Sequence, residues 1–302
     1  MTRVAAIDCG TNSIRLLICD IDAGGSARDV ERRMQIVRLG QGVDGTGRLH
    51  PDALDRTRTA LAAYHEMIAK AGAERTRMVA TSATRDAQNA ADFREMVAGV
   101  LGQEPEVISG EEEARLSFAG AVRGLPADDY LVVDIGGGST EFVRGNHSGV
   151  LAATSVDIGC VRLTERHLHS DPPELSEVDS AVADIRLAVD HALDVVRGPF
   201  ATLVGLAGSV TTVTAIALGL TKYQPERIHH ARITRQEVAF VTAGLAEMTR
   251  EQRSHIGVMH PGRVDVIVAG ALILRTIMER AGADSVLASE HDILDGIAYS
   301  LV

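Results

Sequence analysis

Tryptophan is absent from this 302-residue chain, and phenylalanine and tyrosine number only five and four. A site built on stacked aromatic rings, the usual platform for a nucleobase, has little to draw on. Phe93 and Tyr64 fall instead on core-facing helical stripes. No apolar run approaches the roughly 20 residues of a membrane-spanning helix, so no membrane association is expected. Met-Thr-Arg passes straight into a strand pattern, which leaves no room for a signal peptide. The three cysteines, Cys9, Cys19 and Cys160, are an odd number without CxxC spacing and read as small buried residues of a reducing, cytoplasmic compartment. An excess of basic residues is also missing. Lys and Arg number 30 against 41 Asp and Glu, a formal net charge of −11, and this argues against a nucleic-acid binder. With no HExxH spacing, His229, His230, His255 and His260 read as surface or satisfied core residues.

What the chain does have is glycine at telling places. From Leu131 it reads Leu-Val-Val-Asp134-Ile-Gly136-Gly137-Gly138-Ser139-Thr140-Glu141, a buried strand, a tight turn and a second strand. Three successive glycines let backbone N–H groups approach an anion without interference from Cβ. Ser139 and Thr140 add hydroxyl donors. Asp134 and Glu141 bracket this phosphate-type nest with two carboxylates, a pairing that makes sense if a divalent cation bridges them. The same device occurs earlier, where Asp8, Gly10 and Ser13 align with Asp134, Gly136 and Ser139 without a gap. Thr11 and Asn12 complete that turn. A third loop, Gly205-Leu-Ala-Gly208-Ser209, joins an apolar strand to a helix whose N-terminus suits an anion. Two matching hairpins and a strand–glycine–helix turn point to two related halves acting on a phosphorylated ligand.

Between these loops the pattern alternates strands and helices. Strands are predicted over 4–20, 28–38, 77–80, 130–134, 140–145 and 150–157. Helices are predicted from Pro51, with Leu54, Leu61, Tyr64, Ile68 and Ala71 inward, across Phe93 to Leu101, over 112–123, 174–197 and 264–281, and from Ser289 to the end. The segment 40–45 matches GxGxxG by letter but does not open a helix, which excludes a dinucleotide site. Thr81-Ser-Ala-Thr-Arg85 places hydroxyls and a guanidinium at a strand's carboxyl end, where α/β sheets bind ligands. Arg85 is read as a phosphate contact, with pairing to Asp86 or Asp92 as the alternative. Arg162 and Arg263 are the other cations near the loops and also suit surface salt bridges. Ser109 is an N-cap for the acidic run Glu111 to Glu113. The turn-rich residues 124–129 mark a boundary between domains 1–124 and 125–302.

The motifs at 8–13, 81–85, 109–114, 134–141, 205–209 and 289–296 run in one order along the chain. Together they resemble the exopolyphosphatase and guanosine pentaphosphate phosphohydrolase family of the actin-like phosphotransferase superfamily, in its short form. The resemblance implies an α/β fold of two actin-like (ribonuclease H-like) domains with mixed sheets flanked by helices. It implies an active site in the interdomain cleft, a final helix that packs back on the first domain, and a homodimer. By position Glu113 matches the family's hydrolytic base, with Glu112 as the alternative. The expected site comprises Glu113, Arg85, Asp134 and Glu141 as catalytic residues. Phosphate is expected at Gly10, Thr11, Asn12, Ser13, Gly136, Gly137, Gly138, Ser139, Thr140, Gly208 and Ser209. Mg²⁺, or another divalent cation such as Mn²⁺, is expected at Asp134 and Glu141, with Asp8 reaching it through water.

The activity this implies is removal of terminal phosphate from inorganic polyphosphate of short or medium length, with guanosine pentaphosphate as a close alternative substrate. An actin-like kinase would use similar loops without a water-activating glutamate. A polyphosphate or nucleotide sensor would bind without turnover.

Overall fold

A computed structural model describes all residues, 1–302. The chain packs as two compact units, residues 1–120 with 293–302, and residues 121–292. No helix is long and apolar enough to cross a membrane.

In the first unit β1 (Thr2–Cys9), β2 (Ser13–Ile21) and β3 (Ala27–Ile36) form an antiparallel meander. A short turn of helix, α1 (Val43–Thr46), overlaps the second half of the segment 40–45 and precedes α2 (Pro51–Ala71). Proline at the first helical position suits α2, because its missing N–H would have had no intrahelical partner. β4 (Arg75–Ala80) then pairs parallel with β1. Beyond it come the short α3 (Ser82–Asp86), α4 (Ala90–Leu101), the parallel edge strand β5 (Glu106–Val107) and α5 (Gly110–Val122). The sheet order is β3-β2-β1-β4-β5. Alternate residues of the central strands feed two cores. Ile7, Ile14 and Leu16 pack with Leu61, Tyr64 and Phe93 on one face, while Val4, Leu17 and Val79 pack with the chain's last helix on the other. Leu54 and Ala71, expected inside, are only partly buried.

The second unit repeats the plan. β6 (Tyr130–Ile135), β7 (Thr140–Asn146) and β8 (Gly149–Val156) form the meander. α6 (Cys160–His167) and α7 (Leu175–Val195) follow, and β9 (Thr202–Leu206) pairs parallel with β6 before α8 (Ala207–Ala217). The rest includes α9 (Pro225–Ile228), β10 (Arg232–Thr234), α10 (Arg235–Glu247), α11 (Arg250–Ser254), α12 (Ile267–Ala281) and β11 (Ser285–Ala288). The sheet order is β10-β11-β9-β6-β7-β8. Read from the meander outward, both sheets carry three antiparallel strands and then two parallel ones, and β10 is an added antiparallel edge. β10 and β11 fall in a stretch expected to be helical, and at three and four residues they are too short for periodicity to reveal.

The last helix, α13 (Ile293–Tyr299), belongs to the first unit and buries Ile293, Leu294 and Ile297 there. Polar contacts fix its position. Asp295, 4% exposed, takes two bonds from Arg32 of β3, at 2.6 and 3.2 Å, while Arg32 Nε also donates to Asp29 at 2.8 Å. Removing one partner of a buried ion pair leaves the other charge uncompensated. Arg32 retains some solvent contact and Asp29, so Asp295→Ala is expected to destabilise the fold by about 2 to 4 kcal/mol, at the lower end of what a fully buried pair shows. Urea unfolding checks this, and Arg32→Met combined with Asp295→Leu should recover much of the loss.

Candidate active site

The β6–β7 hairpin brings Asp134 and Glu141 directly opposite each other in the antiparallel ladder. Opposed residues of such a ladder point to the same face of the sheet, and like charges there repel. Both are buried, at 7% and 1% exposure, so water screens little of that repulsion. Ser155 Oγ of β8 donates to Glu141 Oε1 at 2.7 Å. Two buried oxygen donors on one face fit a hard divalent cation that completes its shell with water and phosphate oxygens. No group of three or more His, Cys, Asp or Glu side chains converges as a cage made by protein alone.

The turn between these strands is fixed by where its carbonyls point. Gly136 N–H closes it by donating to Ser139 O at 3.0 Å. Gly136 O accepts from Cys160 N–H at 3.0 Å, and Gly137 O accepts from Val161 and Arg162 N–H at 2.8 and 3.1 Å. Gly138 O accepts from Arg162 Nε at 2.7 Å. The first N–H groups of α6, which have no partner inside their own helix, are thereby satisfied. In a planar trans peptide each N–H is opposed to the preceding C=O, so the N–H groups of Gly137, Gly138 and Ser139 face away from α6 as a nest for an anion. Thr140 contributes less than its sequence position suggests. Its hydroxyl donates to Ile158 O at 2.7 Å, which commits the proton to holding the hairpin.

The first hairpin has the same construction with one reversal of charge. Gly10 N–H donates to Ser13 O at 2.9 Å, Thr11 O accepts from Gly40 N–H at 2.8 Å, and Asn12 O accepts from Val37 and Arg38 N–H at 3.0 and 2.9 Å. The N–H groups of Asn12 and Ser13 therefore face away from segment 37–40. Thr11 Oγ1 lies 2.8 Å from Ser82 Oγ, and this buried contact ties the turn to the end of β4. Across from Asp8 stands Arg15, in the place that Glu141 occupies opposite Asp134. Its Nε and Nη2 donate to Asp8 Oδ2 at 3.0 and 2.6 Å. The first hairpin thus carries its own cation, whereas the second opposes two acids.

Arg85 lies on α3, just past the end of β4. Its Nη1 donates to Ile108 O at 2.9 Å and to Glu113 Oε2 at 3.1 Å, so Glu113 is an ion-pair partner that the alternative of Asp86 or Asp92 did not include. Ser109 caps α5, with Glu112 N–H donating to its hydroxyl at 3.2 Å and Glu113 N–H to its carbonyl at 3.0 Å. The acidic run then diverges, as consecutive helical residues must. Glu111 is exposed and pairs with Arg115 at 2.7 Å, Glu112 reaches toward Arg77 at 3.7 Å, and Glu113 is buried against Arg85.

The β9–α8 turn holds a feature that the sequence reading undervalued. Arg263 Nη1 donates to Gly208 O at 3.3 Å and to Thr212 Oγ1 at 3.2 Å. A Cβ on residue 208 would lie 2.2 Å from the guanidinium carbon, so glycine is what admits this arginine to the N-terminus of α8. Ser209, beside it, is buried. Burial pushes the Cys160 thiol up to about 11 and the Cys19 thiol up to about 12, and raises Cys9 as well. All three are neutral thiols near pH 7, unsuited to nucleophilic catalysis. His229, His230 and His291 gather with ring centroids 3.7 and 4.5 Å apart, and His229 Nδ1 accepts from Glu290 N–H. His229 and His230 stack, His291 is tilted by 43° to His229, and no group of three such side chains is arranged to hold a metal ion.

Residues 17–302 match the Ppx/GppA phosphatase family. Exopolyphosphatase 2 of Mycobacterium tuberculosis is 54% identical, over 100% of this chain and 99% of that protein. A guanosine-5'-triphosphate,3'-diphosphate pyrophosphatase of Vibrio atlanticus is 32% identical, over 99% of this chain but 59% of its own. Among solved structures, the Aquifex aeolicus member of the Ppx/GppA family superposes with a TM-score of 0.84 at 34% identity, covering 99% of this chain and 97% of that one.

Close packing of α6 on the glycine turn yields a test. A Cβ at Gly159 would lie 2.4 Å from the carbonyl carbon and oxygen of Gly137 and 2.5 Å from Gly138 N. Gly159→Ala must displace the turn, and a shift of roughly 1 Å in a positioning group is worth about a hundredfold in rate. Phosphate release is expected to fall by about that factor, while circular dichroism shows the secondary structure retained.

Proposed function

Because the chain belongs to the Ppx/GppA phosphatase family, we propose that it shortens inorganic polyphosphate from its end, with Glu113 as the base that activates water. The protein is a phosphoanhydride hydrolase of the exopolyphosphatase type, as the 54% identity over full length supports. The observation that carries the role of Glu113 is its burial against Arg85, at the first turn of α5, while its two acidic neighbours turn to the surface.

The outward N–H groups of Gly137, Gly138 and Ser139, and those of Asn12 and Ser13, bind phosphate oxygens of the chain. The N-terminus of α8, at Gly208 and Ser209, offers a further anion site with Arg263 at hand. Arg85 forks onto a phosphate oxygen as substrate arrives and loosens its hold on Glu113. Glu113 accepts a proton from water as the water oxygen bonds to the terminal phosphorus. The bridging P–O bond breaks, and its electron pair stays with the shortened chain, which departs with orthophosphate as the other product. The catalytic work is positioning and charge stabilisation, as for phosphoryl transfer generally.

Asp134 and Glu141 are the residues that would hold Mg²⁺ or Mn²⁺, which when bound supplies neutralisation of phosphate charge. Asp8 is the weakest of the three carboxylates for that role, since Arg15 already holds its Oδ2. Guanosine pentaphosphate is the second reading, favoured by the similarity to the Vibrio atlanticus pyrophosphatase. A kcat/KM at least tenfold higher for the nucleotide than for polyphosphate, about 1.4 kcal/mol, would reverse the order of substrates.

Glu113→Gln is expected to lower kcat by about 10²- to 10⁴-fold with KM little changed. Wild-type turnover in that variant would exclude Glu113 as the base. Glu141→Gln removes one of two opposed charges, so it should unfold at a higher temperature than wild type in EDTA yet need more Mg²⁺ for half-maximal activity. Activity indifferent to EDTA would refute the cation at this hairpin.

A further inference from the structure

Three helices of the second unit bring their first turns to one point. Gly270 is buried in the first turn of α12. A Cβ there would lie 2.2 Å from Ser209 Oγ, 2.6 Å from Ser209 Cβ and 3.5 Å from Cys160 Cβ. Ser209 belongs to the start of α8, and Cys160 is the first residue of α6. Both are buried. Burial raises the Cys160 thiol, and the Ser209 hydroxyl works against that rise as a hydrogen-bond partner. The Ser209 side chain therefore faces α6 and α12, and the group it leaves for an anion at the third turn is its backbone N–H.

The helices on either side of this junction each carry a glycine turn. Cys160 N–H holds Gly136 O at 3.0 Å, at the base of the turn between β6 and β7, and Ser209 lies in the turn between β9 and α8. α12 packs on both α6 and α8. An alanine at 270 would meet Cys160 at ordinary van der Waals distance, whereas its Cβ would be about 1 Å too close to Ser209 Cβ. Rotation about χ1 moves the Ser209 hydroxyl aside but not its Cβ, which shifts only with the backbone. α12 is buried along most of its length, so close packing leaves it little room to retreat. The displacement falls on the third turn, while α6 holds the second in place.

We propose that Gly270 is a positioning residue for the phosphohydrolase reaction: by admitting α12 to contact with Ser209 and Cys160, it sets the spacing between the turns at 136–139 and 208–209. This rests on the reading of both turns as phosphate sites. A substrate with several phosphoryl groups in line can engage both turns at once and is sensitive to their spacing. A single phosphoryl group occupies one turn at a time and is not.

The test is Gly270→Ala, read with polyphosphate as substrate and with orthophosphate, the product, as competitive inhibitor. Misplacing a positioning group by roughly 1 Å costs about a hundredfold, so kcat/KM for polyphosphate is expected to fall by at least about tenfold. The inhibition constant of orthophosphate should stay within about twofold of wild type. In a Ser209→Gly background, where the short contacts are gone, the same substitution should cost less than about threefold relative to Ser209→Gly alone. Each of three results overturns the proposal: an unchanged kcat/KM in folded Gly270→Ala, an orthophosphate constant weakened as much as kcat/KM falls, or the same loss in the Ser209→Gly background. If Gly270→Ala does not fold, Cys160→Val crowds the same junction from α6; the same split between the two ligands is expected, and equal losses overturn the proposal. Arg263→Gln separates this proposal from the reading beneath it. If that variant raises KM for polyphosphate while Gly270→Ala leaves kcat/KM unchanged, only the role of Gly270 fails. If neither variant has an effect, the phosphate reading of the third turn fails as well.

Discussion

The direction of a few peptide planes governs how this molecule is put together. A turn becomes an anion site only if its carbonyls are occupied on one side, because planarity then turns the N–H groups to the other. In the second unit the start of α6 supplies the donors, with backbone N–H groups of Cys160, Val161 and Arg162 and the Arg162 side chain on the carbonyls of Gly136 to Gly138. In the first, segment 37–40 does the same for Thr11 and Asn12. One solution needs a helix N-terminus and the other needs only a short non-helical segment in which Arg38 has positive φ. The hydrogen-bond logic is common to both although the elements differ.

Charge is where the two hairpins part. Asp8 faces Arg15, and Asp134 faces Glu141, at equivalent positions of equivalent ladders. An internal guanidinium stabilises the first arrangement whatever the solution contains. The second places two buried acids opposite each other, where like charges repel. Arg85 on Glu113 is a further case of internal pairing, in which a guanidinium is held by a buried carboxylate. The chain's net charge is −11, yet arginines stand at its glycine turns, with Arg162 on Gly138 O and Arg263 on Gly208 O.

Packing supports these turns from behind. In each unit the strand leading into the glycine turn is central in its sheet, flanked by an antiparallel partner on one side and a parallel one on the other. Both faces of β1 and β6 are buried, so the strands cannot slip without exposing apolar side chains. The parallel partners β4 and β9 then deliver Thr81 to Arg85 and Gly208 to Ser209 at the same end of their sheets as the turns, because parallel neighbours end on the same side.

Much of this was legible in the residues themselves. Alternation and glycine placement identified the two hairpins, their gapless correspondence, the third turn and most helices, because these features are local and periodic. Glu113, Asp134 and Glu141 stood out by spacing and resemblance. Other features depended on residues distant in sequence. β10 and β11 are strands only because neighbours pair with them. Arg85 meets Glu113 across 28 residues, and Arg263 meets Gly208 across 55. Thr140 donates its hydroxyl hydrogen bond to Ile158 O, and Arg38 adopts a left-handed backbone that no residue type announces. Sequence by itself determined where the glycine-rich turns lie and which polar residues flank them, since that follows from the absence of Cβ and the spacing of residues along the chain. Tertiary structure decided which carbonyls are occupied and which charges face each other, since both depend on partners that only folding brings within hydrogen-bonding distance.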